Sequence, residues 1–192
     1  MRRRTLIVMV KEPRPGRVKT RLGQDIGMVS AAWWYRHQVA GLLRRLRDPR
    51  WDIALSVAPD TACHGAYWPG DLARMPQGTG DLGRRMRRAL SAFSGPVVLI
   101  GSDIPGVERR LIAEAFAKLG TAKSVIGPAE DGGFWLVGLV NGAAAPTSMF
   151  EGARWSHADT LKDVLPTLPH PVAFAASLKD VDTATDLQAG RK

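Results

Sequence analysis

The chain is poor in cysteine, in aromatic residues and in long apolar runs. A single cysteine, Cys63, among 192 residues rules out an internal disulfide and any cysteine-cluster metal site. The histidines, His37, His64, His157 and His170, lack metal-ligand spacing and read as structural or exposed. The longest apolar stretches, residues 5–10 and 96–100, are far too short to span a bilayer. The opening MRRR precedes an apolar stretch shorter than a secretory core and without a small-residue cleavage site. There is no internal repeat, no low-complexity linker and no shift in composition that would mark a boundary. Residues 1–192 therefore read as one domain with room for a real core, cytoplasmic and without membrane insertion.

What is present is ordinary globular composition, 45% hydrophobic and 23% charged, with a net charge of +9. The excess gathers at residues 2–4, 44–47 and 84–88. The last two clusters fall in helix-like segments and read as solvated faces. A basic surface can attract nucleic acid, anionic lipid or small phosphorylated ligands. Carboxylates are interspersed among these cations, which a polyanion disfavours, so nucleic acid is not the expected partner.

Along the chain, strand-like and helix-like segments alternate. TLIVMV (5–10), DIALSV (52–57) and PVVLIGSD (96–103) read as strands, and SVIGPA (124–129) and FWLVGL (134–139) as two more joined by a turn through Asp131, Gly132 and Gly133. A further strand is expected near residues 172–176. Ser30 is the expected cap of a helix to Arg47, with Ala32, Tyr35, Val39, Leu42, Leu43 and Leu46 on its apolar stripe. Residues 81–93 are helical by spacing, with Leu82, Met86, Ala89, Leu90 and Phe93 on one face. Residues 107–119 read as helix, as do 156–168, opened by a capping-box pattern at Ser156 and Asp159. A short helix is expected after Thr183. The alternation predicts an α/β fold, a mostly parallel sheet with helices on both faces. In such folds ligands bind beyond the carboxyl ends of the strands.

That rule selects three loops. In KEPRPGRVKTRL (11–22), Pro13, Pro15 and Gly16 stiffen and turn the backbone, so Lys11, Arg14, Arg17, Lys19 and Arg21 can converge on one anion. Lys11, Pro15, Gly16, Lys19, Thr20 and Arg21 are the candidate phosphate-binding residues; a solvated basic connection is the plainer alternative. The loop is not a Walker A sequence, because no glycine directly precedes Lys19. In GSDIPG (101–106), an apolar strand ends in Asp103, a hard oxygen ligand suited to Mg²⁺ or Mn²⁺ beside a diphosphate. Asp103 can equally cap the helix that follows Pro105. Near the end, DVDTATDL (180–187) supplies Asp182, with Asp180 unexplained by helix capping, as a second carboxylate for the same metal. In PAEDGG (128–133), Asp131 is either a turn residue or a group that orients or deprotonates an acceptor. GTGDLG (78–83) matches the G-x-G-x-x-G dinucleotide pattern, but the preceding ARMPQ contains a proline and no apolar run, so no strand is expected before it. It can still act as a glycine loop approaching a base or sugar.

Together, KEPRPGRVKTRL, QGTGDLGRRM, GSDIPG, PAEDGGFWLVGL, the RWS at 154–156 and DVDTATDL resemble, in order and over almost the whole chain, the GT-A-type nucleotide-diphospho-sugar transferases. More narrowly they are similar to small bacterial glycosyltransferase-like proteins linked to arsenosugar biosynthesis. The resemblance implies a metal-dependent transferase using a nucleotide sugar, or an NTP in the related nucleotidyltransferases, with a small-molecule acceptor. It implies that Lys19 and Arg21 contact the nucleotide phosphates, that Gln77 and Gly78 lie near the base, and that Asp103 and Asp182 hold Mg²⁺ or Mn²⁺. Asp131, Gly132 and Gly133 would line the acceptor side. The chain departs from the pattern in carrying one aspartate in GSDIPG where many such transferases show D-x-D, and Phe134–Trp135 where a Tyr-rich segment is usual.

Overall fold

Alternate side chains of the first strand divide the protein into two halves. In this computed structural model, which describes residues 3–104 and 106–178, β1 spans Thr5–Lys11. Leu6, Val8 and Val10 point into one core and Ile7 into the other, as the two-residue period of a strand requires. β4 (Val97–Ile100) divides in the same way, with Val98 and Ile100 on the first face and Val97 and Leu99 on the second. Near-continuous apolar strands of this kind belong in a sheet buried on both sides.

Among the described residues the sheet has seven strands, in the order β3-β2-β1-β4-β6-β5-β7. The others are β2 (Asp52–Ala58), β3 (Ala73–Pro76), β5 (Ser124–Pro128), β6 (Phe134–Leu139) and β7 (Val172–Phe174). β3, β2, β1 and β4 run parallel, β6 is antiparallel to both β4 and β5, and β7 is parallel to β5. The expected mostly parallel α/β sheet is what the chain forms. α2 (Met28–Arg45) and α4 (Arg109–Lys118) cover the first face through Tyr35, Val39, Leu42, Ile112 and Phe116. α3 (Leu82–Ser91) and α5 (Thr160–Val164) cover the second through Met86, Leu90 and Val164.

Several expectations are corrected. A short helix, α1 (Thr20–Ile26), begins inside the stretch read as a loop. The next helix, α2, is preceded by Gly27 and not capped by Ser30, although the predicted apolar stripe is buried as expected. The helix expected from Ser156 starts only at Thr160 and gives way to a 3-10 turn at Leu165–Thr167. Ser156 adopts a left-handed backbone with φ of 56°, not the extended conformation usual at a helix start, and Asp159 takes the position before the helix. ARMP, expected not to be a strand, is β3. It is a short edge strand, half exposed, and its proline falls at the last position, where an edge tolerates a missing N–H. Leu82 begins the apolar face of α3 in sequence but is 45% exposed.

Candidate active site

The carboxyl ends of β1 and β4 meet at a cavity of about 650 Å³. Lys11, Lys19, Gln77, Ser102, Asp103, Asp131 and Gly133 all line it. Parallel strands side by side expose their last residues together, so three loops far apart in sequence converge here.

Asp103 follows β4 and is 45% exposed; one carboxylate oxygen, Oδ2, lies 3.1 Å from the Lys19 ammonium. The Lys19 side chain is only 5% exposed, and its backbone is left-handed (φ 46°, ψ 47°) directly before α1. That conformation costs a non-glycine residue about 1–2 kcal/mol, and such outliers gather where a side chain must be aimed. The Ser102 hydroxyl donates to Asp103 Oδ1 at 3.2 Å. Ser102 in turn lies 2.9 Å from the buried Tyr35 hydroxyl, which accepts the Lys11 backbone N–H, also at 2.9 Å. Asp103 does not cap the following helix, because α4 starts at Arg109 with Glu108 at the capping position.

The five cations of the first loop do not converge on one point. Lys11 and Lys19 line the main cavity. Lys11, Arg14 and Arg17 line an adjoining one of about 770 Å³, opposite Gly78–Gly80 and Arg85. Pro15, Gly16, Thr20 and Arg21 are exposed and line neither, because α1 starts at Thr20 and carries Arg21 off along the helix.

The loop between β3 and α3 is held from all sides. Both Gln77 amide hydrogens are used within the sheet, on Val10 O at 3.2 Å and Ser56 O at 3.0 Å. Arg88 donates to Gln77 O at 2.6 Å and to Thr79 O at 3.0 Å, and Arg85 donates to Gly80 O at 2.8 Å. Asp60 accepts the Gly78 N–H at 2.9 Å. Gly78 has φ of +72°, and a Cβ there would run into the Arg88 guanidinium. The segment 84–88 is thus not merely a solvated face; two of its arginines brace this loop. The preceding strand now completes the G-x-G-x-x-G context, yet a carboxylate already sits at the α3 N-terminus, where a dinucleotide pyrophosphate would lie. Asp81 Oδ1 accepts the Arg84 N–H there at 2.8 Å.

Across the cavity, Asp131 Oδ1 accepts the Gly133 N–H at 2.9 Å, an Asx turn that leaves Oδ2 outside the turn. Gly132 has φ of +86°, and a Cβ on it would come within 2.0 Å of Ala158 O. It is required for packing, and Gly133, not Gly132, lines the cavity. Beside them stand Leu82, Phe134, Trp155 and His157. Phe134 stacks on Phe150 at 6.2 Å between ring centres, and Trp155 meets both rings. Sequence reasoning missed these residues together with Tyr35 and Ser102. The signal was there for Tyr35, the one hydroxyl in an otherwise apolar helix stripe. Cys63 is buried, and burial raises its thiol pKa, in keeping with an inert side chain.

As to metal, among the described residues no three His, Cys, Asp or Glu side chains cluster. The Asp180 and Asp182 carboxylates and the helix expected after Thr183 lie outside the described residues. One exposed carboxylate beside a lysine suits a hard cation that arrives with a diphosphate and completes its shell with phosphate and water. Among the described residues, no helix is long and apolar enough to cross a membrane.

Residues 42–157 match the family model described as "Uncharacterized protein conserved in bacteria (DUF2064)". The chain belongs to this family. This DUF2064 chain is also 32% identical to a Desulfovibrio desulfuricans G20 protein provisionally assigned as a nucleotide-diphospho-sugar transferase. That alignment covers 100% of this chain and 87% of the other, with a TM-score of 0.87. More distant structures share the fold. One is the 4-diphosphocytidyl-2C-methyl-D-erythritol synthase of Anaerococcus prevotii DSM 20548, at 11% identity over 98% of this chain and 96% of that one, with a TM-score of 0.61. Another is Rv0371c of Mycobacterium tuberculosis H37Rv, solved as a complex with manganese, at 18% identity over 97% of each chain and a TM-score of 0.54. No curated protein shows a significant match. The fold is of the nucleotide-diphospho-sugar transferase type.

Proposed function

We propose that the whole chain, 1–192, works as a single metal-dependent transferase domain that moves a glycosyl group from a nucleotide sugar to a hydroxyl acceptor. The observation that carries this reading is the pairing of Lys19 with Asp103 across one cavity from Asp131. Lys19 and Lys11 supply positive charge to the diphosphate. Gln77 and Gly78 belong to the rigid loop beside which the base would lie. Asp103, with Asp182 as second carboxylate, would hold Mg²⁺ or Mn²⁺. When bound, that cation supplies charge neutralisation to the departing nucleoside diphosphate. Asp131 Oδ2 accepts the proton of the acceptor hydroxyl as it attacks, while Oδ1 stays on the Gly133 N–H and keeps the carboxylate oriented. Leu82, Phe134 and Trp155 give this end of the cavity the apolar and aromatic wall against which a sugar face or other uncharged acceptor packs, and which suits a phosphate poorly.

A second reading, nucleotidyl transfer from an NTP to a phosphorylated acceptor, is favoured by one observation. Arg17 and Arg85 carry positive charge beyond Lys11 into the adjoining cavity, where a third phosphate could lie, with Arg14 beside them paired to Glu12 at 2.8 Å. A panel of NTPs and nucleotide sugars, with and without Mn²⁺, followed by thermal shift and then turnover, separates the two. Stabilisation by nucleotide sugars and release of a nucleoside diphosphate support glycosyl transfer. Stabilisation by NTPs alone, with pyrophosphate release, replaces it with nucleotidyl transfer, and no stabilisation by any nucleotide defeats both.

A further inference from the structure

The Tyr35 hydroxyl stands between the start of the basic loop and Asp103. Tyr35 is 3% exposed, in the middle of the apolar stripe of α2. Three hydrogen bonds run in series: Lys11 N to Tyr35 Oη at 2.9 Å, Tyr35 Oη to Ser102 Oγ at 2.9 Å, and Ser102 Oγ to Asp103 Oδ1 at 3.2 Å. The two ends fix the direction of every proton between them. A backbone N–H can only donate and a carboxylate can only accept, so Ser102 must give its hydrogen to Asp103 and Tyr35 must give its own to Ser102. Burial, followed by the nearby Asp103 charge, pushes the Tyr35 phenol well above its ordinary pKa, so the hydroxyl keeps its proton and the series cannot reverse.

The ends of this series are functional positions. Lys11 is the last residue of β1 and opens the basic loop, and Asp103 follows β4. Asp103 is held at both oxygens, Oδ1 by the Ser102 donor and Oδ2 by Lys19, and Oδ2 is the one that a cation exchanging with the Lys19 ammonium would meet.

We infer that Tyr35 is a positioning residue, acting through Ser102 to hold the Asp103 carboxylate in the orientation that receives a metal diphosphate and to tie that orientation to the backbone where the basic loop begins. This rests on the reading of Asp103 as the carboxylate that meets the metal diphosphate. A purely structural hydroxyl, kept to satisfy the Lys11 N–H, would affect folding without affecting what Asp103 binds.

The test uses the full chain and a probe independent of the base, inorganic pyrophosphate titrated calorimetrically in the presence of Mn²⁺. Tyr35→Phe keeps the buried ring and removes only the hydroxyl; Ser102→Ala breaks the series one bond later and serves if Tyr35→Phe folds poorly. Ser102→Ala, which removes a hydrogen bond to a charged acceptor, is expected to weaken Mn²⁺–pyrophosphate binding roughly 10-fold, and Tyr35→Phe, which removes the neutral bond behind it, roughly 3-fold. Added to Asp103→Asn, either change is expected to weaken binding no further, as a cycle through a shared partner requires. Wild-type affinity in both Tyr35→Phe and Ser102→Ala, with only the thermal midpoint lowered, overturns the inference. So does an equal loss in the presence and absence of the Asp103 carboxylate. If Asp103→Asn itself binds Mn²⁺–pyrophosphate like wild type, the functional reading falls along with this one.

Discussion

The Lys19 ammonium lies 3.1 Å from Asp103 Oδ2, reaching it from a left-handed backbone position with its side chain almost wholly buried. Cation and carboxylate come from loops 84 positions apart, and each meets a charge of opposite sign before any ligand arrives. A metal diphosphate offers both a replacement, an anion for Lys19 and a cation for Asp103. Under the proposed function the pair marks where the diphosphate would sit, and the following outcomes are expected.

Asp103→Asn keeps the shape of the side chain and removes its charge. Nucleotide-dependent thermal stabilisation in Mn²⁺ should be largely lost in this variant, with little change in its absence. Stabilisation as large as in wild type would rule out the metal role.

Lys19 and Arg21 both stand in the basic stretch, but only Lys19 lines the cavity. Lys19→Ala should weaken diphosphate ligands by about 2 kcal/mol, roughly 30-fold, and the bare nucleoside far less. Arg21→Ala, on the exposed side of α1, should cost less than about 1 kcal/mol. Titration of a nucleoside diphosphate and its nucleoside against both variants measures the difference, and equal weakening of the two ligands by Lys19→Ala would point to a folding effect.

Asp131→Asn retains an oxygen for the Gly133 N–H and so preserves the turn, while removing the base. Sugar transfer should fall roughly 100-fold or more, with donor affinity nearly unchanged. Turnover near wild type would leave Asp131 a turn residue and restore nucleotidyl transfer to equal standing.

Gly132→Ala should be among the more damaging single-methyl changes, because its Cβ would meet Ala158 O at 2.0 Å from a backbone with φ of +86°. Strain and displacement together should destabilise the fold by on the order of 3 kcal/mol, read by chemical denaturation. A loss below about 0.5 kcal/mol, within the range of ordinary surface substitutions, would mean that the 156–160 segment moves aside freely.

Arg154 grips the Asp163 carboxylate through Nε at 2.8 Å and Nη2 at 2.9 Å, and these bonds lower the Asp163 pKa to about 2. The folded value lies below the ordinary carboxylate value, so the stabilising contribution is complete above about pH 4 and is lost as pH falls toward 2. The difference in thermal midpoint between wild type and Asp163→Asn should be constant above about pH 5 and shrink below pH 4. A difference that grows on acidification would refute the assignment.

The alternation of strands and helices, and the three loops that follow the carboxyl ends of β1, β4 and β5, were legible in the residues themselves. A continuous apolar run such as Val97–Ile100 and the stripe of period 3.6 on α2 are local properties. The tertiary structure alone decided what depends on a distant partner. β3 exists because β2 offers its edge to four half-exposed residues that have no strand pattern of their own. Ser156, well placed by spacing to cap a helix, is held left-handed, and the Thr160 side chain after it bonds back to Arg154 O and His157 O. Arg85 and Arg88 read as solvent-facing by charge, and only the fold shows that the carbonyls of a glycine loop lie within their reach. Likewise Tyr35 looks like one more member of an apolar stripe until the sheet brings Ser102 to its hydroxyl across 67 positions. Periodicity is written into neighbouring residues. Hydrogen-bond partners at the open end of a parallel sheet are contributed by whichever strands lie side by side, and that order, 3-2-1-4-6-5-7, is set by packing the whole chain at once.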